Sequence, residues 1–163
     1  MLCPVCGNKM QIKTNNQTKE KFLGCSDFPK CKCTTSYIDP KENEKIIREV
    51  INKYEQDIRN KLELPINIKV THEFKYDMEY AAICMPTNRN KYTIRWNIEL
   101  KRNTLAKILL DLAHEYRHVY QVYFETFSNQ YDTSAKWRTR PEEDDAINFS
   151  YKYLDEIISN YKF

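Results

Sequence analysis

The chain is poor in glycine, with two residues in 163, and it holds only three histidines. Few glycines argue against the Gly-rich loops that cradle phosphates. No apolar run approaches the roughly 18 residues of a membrane span, and the N-terminus lacks the apolar region of a signal peptide. We therefore expect a cytoplasmic protein with no membrane partner.

The composition is that of a globular protein, with 41% hydrophobic and 30% charged residues. Its length allows one compact domain and a small appendage. The Asp39–Pro40 step marks the boundary, because the residue before proline disfavours helix. We predict two domains, 1–38 and 42–163. Residues 1–40 carry six lysines and three acids, so the net charge of +3 lies with the first domain.

Hydrophobic periodicity predicts the elements of the second domain. A helix from Glu42 ends before Pro65, and the order continues with strands, a turn and two helices. The predicted spans are strands at 66–71, 80–85 and 92–98 and helices at 105–123 and 141–160. The fold class is α+β, with one helix, a three-stranded antiparallel sheet and two further helices behind a small zinc-ribbon-like finger. The strand 92–98 is the candidate edge for an extended peptide.

Five of the six cysteines lie within the first 33 residues. Cys3 and Cys6 form a CxxC pair followed by Gly7, and Cys25 and Cys31 form a second pair. Two such pairs suit a closed tetrahedral zinc site. Zinc is favoured over disulfides because the cysteines of a non-secreted protein stay reduced. We predict a structural zinc ion, with Cys33 as an alternative to Cys31 for the fourth ligand.

The spacing of these cysteines, with the segment Phe22-Leu23-Gly24-Cys25-Ser26-Asp27-Phe28-Pro29-Lys30-Cys31, resembles the C-terminal zinc fingers of type IA topoisomerases. The resemblance covers about the first 35 residues. It implies binding of single-stranded DNA through aromatic and basic residues, since flat rings stack on bases and lysines follow phosphates. By position these residues are Phe22, Phe28, Lys30 and Lys32.

The predicted helix 105–123 contains the sequence His114-Glu115-Tyr116-Arg117-His118. Residues four apart lie on one helix face, so His114 and His118 can bind one metal ion together. Glu115 is placed to act as the general base that takes a proton from the attacking water. The pattern predicts a catalytic zinc site.

The third ligand of this site follows by elimination. The remaining histidine, His72, lies upstream, so a downstream carboxylate is left. Helical geometry turns Glu143 toward the apolar stripe of the last helix. Glu142 stays an alternative, although its spacing from Thr139 is that of a capping box. We predict Glu143 as the ligand.

The segments 112–118 and 143–149 together resemble the ImmA/IrrE class of metallopeptidases, which combines the two-histidine helix with a later Glu-x-x-Ala-x-x-Phe-like segment. The resemblance implies a minimal gluzincin-type fold and cleavage of a regulatory protein, often a DNA-binding repressor. Tyr116 and Arg117 are bulkier than the residues usual between the two histidines. Tyr131, Arg138 and Arg140 are candidates for stabilising an oxyanion.

These features predict a zinc-dependent endopeptidase with two Zn²⁺ ions, one structural and one catalytic. Its expected partners are a protein substrate, such as a DNA-binding repressor, and single-stranded DNA. The alternative is a DNA-binding adaptor whose peptidase-like domain binds metal without cleaving. A metal-dependent nuclease is disfavoured, because such sites gather carboxylates around hard cations rather than paired histidines.

Overall fold

A computed structural model describes residues 2–37, 39–76, 78–99, 104–126 and 140–160. The finger begins the chain as a three-stranded antiparallel sheet in the order β1-β2-β3. Its strands are β1 (Met10–Thr14), β2 (Lys21–Cys25) and β3 (Thr34–Ser36). The buried residues at its centre are the cysteines Cys3, Cys25 and Cys31. So small an apolar cluster removes little surface from water, and ligation of metal is the usual source of folding free energy in modules of this size.

Helix α1 (Pro40–Lys61) starts at the predicted boundary. The Asp39 side chain accepts a hydrogen bond from the N–H of Lys41, and Pro40 occupies the first helical position, where a missing N–H costs nothing. Further along, the Asn43 amide donates to the carbonyl of Ile98 across 2.7 Å. This buried bond fixes the start of α1 against the end of the last strand.

The second sheet contains β4 (Lys69–Lys75), β5 (Ala82–Asn88) and β6 (Lys91–Asn97), in the order β4-β6-β5. β5 and β6 form an antiparallel hairpin, but β4 and β6 are parallel. The prediction of an entirely antiparallel sheet is therefore wrong for one pair. β4 and β5 are not neighbours in the sheet, because a gap one strand wide lies between them. The β5–β6 hairpin places β6 in this gap, antiparallel to β5 and parallel to β4.

Helices α2 (Leu105–Phe124) and α3 (Pro141–Asn160) complete the α+β arrangement. Thr104 caps α2 by accepting from the N–H of Lys107, and the left-handed residue Glu125, with φ 53°, ends it. At the start of α3 the carbonyl of Arg140 accepts from the N–H groups of Glu143 and Asp144. Three helices and a three-stranded sheet, behind the finger, agree with the predicted α+β class, although the β4–β6 pair is parallel rather than antiparallel.

The core lies between one face of the second sheet and the three helices. The central strand β6 supplies the fully buried residues Ile94 and Trp96, and α2 supplies Leu112, Ala113 and Tyr116. Burying a large apolar side chain contributes about 1.5–3 kcal/mol each. Because α2 packs against α1, α3 and β5, the side chains that it carries stand on a rigid element.

The predicted element order agrees with the structure, while some boundaries moved. The helix expected from Glu42 begins at Pro40, and the strand expected at 66–71 lies at Lys69–Lys75. β5 continues through Pro86, which stands on an edge strand at an irregularity in the pairing with β6, and such positions are where sheets accommodate proline. Within the described ranges no helix has the length and apolar character needed to cross a membrane.

Candidate functional site

The four cysteines predicted as ligands converge at one end of the finger. The Sγ atoms of Cys3 and Cys31 are 3.7 Å apart, those of Cys6 and Cys25 are 3.4 Å apart, and all four lie within 4.8 Å of one another. A tetrahedral zinc ion with Zn–S bonds of about 2.3 Å separates its sulfurs by about 3.8 Å. The geometry therefore fits a C4 zinc site, and Cys33 is outside this group of four.

Backbone N–H groups point at the sulfurs of this group. Burial opposes the thiolate of Cys3, but hydrogen bonds from the backbone N–H groups of Val5 and Cys6 outweigh it and lower the Cys3 pKa to about 6. The N–H of Asp27 lies 3.4 Å from Cys25 Sγ and favours its thiolate, but burial and the neighbouring cysteine side chains outweigh it and raise the Cys25 pKa to about 12. Such donors stabilise thiolates, which are the form that binds zinc.

The four residues predicted to contact DNA all lie on the finger. Phe28 is 62% exposed, Lys30 and Lys32 are exposed, and Phe22 is half-buried on β2. An exposed aromatic ring of this kind is able to stack on a nucleic-acid base.

Sequence reasoning missed Lys13, which lies beside these rings. Its Nζ is 5.2 Å from the centre of the Phe28 ring, a cation–π distance, and 3.3 Å from the carbonyl of Cys25. A Cβ on Gly24 would lie 3.0 Å from Lys13 Cδ, so the glycine leaves the space that the lysine crosses. Cross-strand pairing of Lys13 with Phe22 was the signal, but it requires the strand register.

A second group of potential metal ligands lies between α2 and α3. Nε2 of His114 and Nε2 of His118 are 3.0 Å apart. The carboxylate of Glu143 reaches them at 3.3 Å from His114 and 3.6 Å from His118. The first turn of α3 brings Glu143 here, while Glu142 is outside the group.

The donor set fits a zinc ion. Zinc with bonds of about 2.0–2.1 Å to nitrogen and oxygen holds tetrahedral ligand atoms about 3.3–3.4 Å apart, close to the distances seen here. In addition, Glu143 Oε2 is buried and has no well-oriented hydrogen-bond donor among the described residues. A buried carboxylate oxygen without a donor is costly unless a cation satisfies it.

The charges of this group are strongly coupled. Burial disfavours the carboxylate of Glu143, but His114 and His118 beside it outweigh that effect and lower its pKa to about 2. For His118, burial disfavours the imidazolium, while Glu143 and Glu115 outweigh it and raise its pKa. The pocket therefore favours a cation between the two helices, whether a proton or a metal ion.

Glu115 lies next to His114 on α2 and is only 6% exposed. Its burial raises the pKa of its carboxyl group, an effect that His118 and His114 partly offset, and the backbone N–H of Cys84 on β5 also favours the carboxylate. A carboxylate made more basic by burial, beside a potential metal site, is suited to accept a proton.

A cavity of about 260 Å³ opens beside His114 and Glu115, between β5, α2 and α3. It is lined also by Tyr80, Ala81, Ala82, Lys107, Leu110, Asp111, Ile147, Ser150 and Tyr151. Sites for whole drug-sized ligands begin near 300 Å³, so this cavity is smaller than such a site.

The strand nearest this cavity is β5, which forms an edge of the sheet. Among the described residues no strand pairs with its outer side. The candidate peptide-binding edge predicted at 92–98 is therefore wrong, because β6 occupies the centre of the sheet and both its sides are already paired. The parallel β4–β6 pairing, which sequence did not reveal, causes this difference.

A hydrogen-bonded group behind His118 was also missed by sequence reasoning. Gln121 lies 2.7 Å from His118 Nδ1, and Arg117 makes a bidentate pair with Asp145. Arg117 and Gln121 outweigh the burial of Asp145 and lower its pKa. The spacing of His118 and Gln121 by three residues was a weak signal, because it shows a shared face but no partner.

Of the other candidates, Thr139, Tyr131 and Arg138 lie outside the described residues, and Arg140 has a buried Nε atom without a described acceptor.

The comparison with known proteins finds matches to the finger. Residues 1–39 match the topoisomerase DNA-binding C4 zinc finger family. DNA topoisomerase 1 of Pyrococcus furiosus and that of Pyrococcus horikoshii are each 47% identical over 32 residues, which is 20% of this chain. The matched segment is 3% and 5% of the length of these two proteins. No solved structure matches the chain.

The sheet, the four convergent cysteines and the family match concern the same residues. Residues 1–39 of this chain carry a DNA-binding C4 zinc finger of the topoisomerase type, with its four cysteines positioned to bind metal.

Proposed function

We propose that this chain is a zinc-dependent endopeptidase that cleaves a regulatory, DNA-associated protein. The observation that carries the proposal is the convergence of His114, His118 and Glu143 within 4.8 Å, with Glu115 adjacent on α2. Two helical histidines, a carboxylate from a later helix and a buried glutamate are the parts that zinc-dependent hydrolysis of a peptide bond requires. The finger supplies the DNA-binding part of the proposal.

The roles of the residues follow from their positions. Zinc bound by His114, His118 and Glu143 would supply Lewis acidity, which makes water a nucleophile near neutral pH and polarises a peptide carbonyl. The Glu115 carboxylate accepts a proton from the attacking water and passes it to the nitrogen of the leaving amine. Burial of Glu115 favours this transfer because it raises the pKa of the carboxyl group.

The surroundings suit an extended peptide as substrate. The open edge of β5 offers backbone N–H and C=O groups to which a strand of the substrate can pair. The cavity beside His114 and Glu115 then receives one side chain next to the cleaved bond. A folded surface without a free extended segment does not meet these two requirements, so the substrate is expected to offer a loop or linker.

The finger is proposed to bring the peptidase to substrates on DNA. Exposed Phe28 can stack on a base of single-stranded DNA, and Lys30 and Lys32 can pair with phosphates. Two weak contacts made through one chain raise the local concentration of substrate at the proposed active site. A DNA-binding repressor is the substrate class that combines binding to DNA with a loop or linker that can be cleaved.

The proposal is tested by the Glu115→Gln variant. The amide is nearly isosteric with the carboxylate but does not accept the proton, so cleavage should fall by about 10²–10⁴-fold while zinc content stays unchanged. Cells of the source organism producing wild type or Glu115→Gln are compared by mass spectrometry of newly formed protein N-termini. Exposed Glu125, at the end of the same helix, gives the matched control Glu125→Gln.

New N-termini that appear with wild type and Glu125→Gln but not with Glu115→Gln identify the substrate. That substrate is then purified and cleaved in vitro with the same three proteins. Equal cleavage by Glu115→Gln and wild type would show that the assigned base is wrong.

A second candidate is a DNA-binding adaptor that holds metal between α2 and α3 without cleaving. It is favoured by the fact that the family match ends at residue 39. Under this alternative, wild type and Glu115→Gln produce the same set of N-termini. Both proteins nonetheless bind DNA and the second metal ion.

A further inference from the structure

Gln121 is a glutamine on α2 that is only 5% exposed. Its Nε2 group donates to Asp145 Oδ2 at 2.7 Å and to the carbonyl of Glu142 at 2.8 Å. Both of these partners are acceptors, because a backbone carbonyl only accepts and both oxygens of Asp145 already accept from Arg117. Nε2 of Gln121 must therefore face α3, and the orientation of the amide is fixed.

This orientation determines the state of His118. With Nε2 facing α3, the Oε1 atom of Gln121 lies 2.7 Å from Nδ1 of His118. A carbonyl oxygen only accepts, so Nδ1 of His118 must carry the proton. In neutral His118 the lone pair is then on Nε2, the atom that faces His114 and Glu143. This is the tautomer that binds a metal ion through Nε2.

The same amide also holds the other ligand-bearing helix. Its two acceptors on α3, the carbonyl of Glu142 and the side chain of Asp145, flank Glu143 in the sequence. One side chain thus joins His118 on α2 to the turn that presents Glu143. A shift of α3 along α2 would break these hydrogen bonds and move the Glu143 carboxylate away from the histidines.

We propose that Gln121 is a positioning residue of the second metal site, which selects the Nε2-binding tautomer of His118 and sets the position of Glu143. The inference rests on the proposed function, since it takes zinc to be the ion at His114, His118 and Glu143. Gln121 contacts neither the ion nor the substrate. Its effect is therefore measured on metal affinity rather than on cleavage.

The test compares the zinc dissociation constant of the second site in variants of the full-length protein by competition with a chromophoric chelator. Replacing Gln121 with methionine keeps the length of the side chain and removes all three hydrogen bonds. We expect zinc binding about 10–100-fold weaker, the usual effect of losing a partner of a metal-binding histidine. Gln56→Met is the control, because Gln56 is an exposed helical glutamine whose side chain bonds to Asn60 four residues on, away from the second site.

A second pair of variants separates positioning from mere filling of space. Gln121→Glu has the same shape, but it places a carboxylate against Asp145 and the carbonyl of Glu142, so zinc binding should weaken. Adding Asp145→Asn supplies an N–H donor to the new carboxylate and should recover part of the affinity that Gln121→Glu loses. Asp145→Asn alone is the control, because it weakens the pair with Arg117 by itself. This pair also carries the test if Gln121→Met does not fold.

Cobalt substitution gives a further readout. The absorption bands of Co²⁺ at the second site should shift in Gln121→Met and return in part in the double variant, because they depend on the ligand geometry. Wild-type affinity and unchanged bands in Gln121→Met and Gln121→Glu would overturn the role of Gln121. His114→Ala distinguishes the failure of the site itself, since a zinc content equal to that of wild type in His114→Ala would remove the second metal site.

Discussion

At the scale of single residues, two buried carboxylates of the proposed peptidase differ because of their neighbours. Glu143 faces both imidazoles, and its pKa falls to about 2. For Glu115 the effect of burial is larger than the effect of the two histidines, so the pKa of its carboxyl group is raised. A carboxyl group that stays ionised suits a metal ligand, while a more basic one suits a general base. Different environments thus suit two chemically identical side chains to different roles.

The first prediction separates Glu143 from its neighbour Glu142. Glu143→Gln replaces a charged ligand with a neutral one and should weaken zinc binding at the second site by at least tenfold. Glu142→Gln should leave affinity within about twofold, because the contact of Glu142 with the described residues of the site is made by its backbone carbonyl, which the substitution keeps. Competition titrations with a chelator measure both. Stronger loss in Glu142→Gln than in Glu143→Gln would exchange the two assignments.

The second prediction concerns the pH dependence of zinc binding. In the metal-free protein the pKa of His118 is raised, so its imidazole is protonated at a higher pH than a free histidine. Zinc requires the neutral ring and must displace that proton. Affinity of the second site should therefore rise as pH increases through the raised pKa and then level off.

Titrations of zinc between about pH 6 and 8 check this dependence, because the ordinary histidine pKa is about 6.5. Subtraction of the signal from His114→Ala removes the contribution of the finger. An affinity that is constant across this range would contradict the charge coupling between His118 and Glu143.

At the scale of elements, the proposed second site depends on how α2 and α3 pack. His114 and His118 both stand on α2, but Glu143 and Asp145 stand on α3. Both helices contribute to the buried core, α2 with residues such as Ala113 and α3 with Tyr153. Outside this core, the ion pair Arg117–Asp145 and the Gln121 bonds fix the register. Metal binding is therefore coupled to the pairing of two helices.

The third prediction follows from this coupling. An ion that binds the folded state at a free concentration 100 times its dissociation constant stabilises that state by about 2.7 kcal/mol. For a domain of this size we expect the unfolding temperature to rise by roughly 10 °C when the second site fills. Calorimetry of the protein with zinc only at the finger, before and after further zinc, measures the shift. His114→Ala should show no such shift, and an equal shift in that variant would disprove the coupling.

At the scale of the whole molecule, two chemically different groups of potential metal ligands occur in one chain. The first combines four cysteines from the segments around Cys3 and Cys25, and the second combines imidazole and carboxylate groups from α2 and α3. Four thiolates close a coordination sphere, whereas three ligands leave a position for water and substrate. The finger thus has the donor set of a structural site, and the donor set of the helical group is consistent with the catalytic site that we propose.

The fourth prediction tests the finger within the full chain. Phe28→Ala should weaken binding of single-stranded DNA by about 1–3 kcal/mol, or roughly 5–150-fold, because one stacked base loses its ring. Tyr76→Ala is the control, since Tyr76 is 58% exposed but lies between β4 and β5, outside the finger. Fluorescence anisotropy with a labelled oligonucleotide measures the affinity.

Salt dependence distinguishes the aromatic residue from the lysines. Phe28→Ala should leave the slope of affinity against salt concentration unchanged, whereas Lys30→Ala should reduce it by about 0.7. Equal affinity of Phe28→Ala and wild type at low salt would remove Phe28 from the DNA contacts.

The sequence by itself determined the parts that depend on local spacing. The CxxC pair at Cys3 and Cys6, with the second cysteine pair, defined the zinc finger, which the family match confirms. Periodicity gave the bounds of α3 and nearly those of α2, because an apolar stripe repeats within each helix. It also placed His114 and His118 on one face, and the role of these two residues in catalysis stays a prediction.

Only the tertiary structure decided what depends on contacts between distant segments. Nothing local reveals that β4 is parallel to β6, since the pairing depends on which strand enters the gap in the sheet. Because β4 and β5 both pair with β6, the strand with an open edge beside the cavity is β5 and not the predicted β6. Likewise, Gln121 and Asp145 are 24 residues apart, and their hydrogen bond exists because α2 and α3 pack with one particular register. Spacing along a helix predicts which side chains share a face, but packing between elements selects what that face meets.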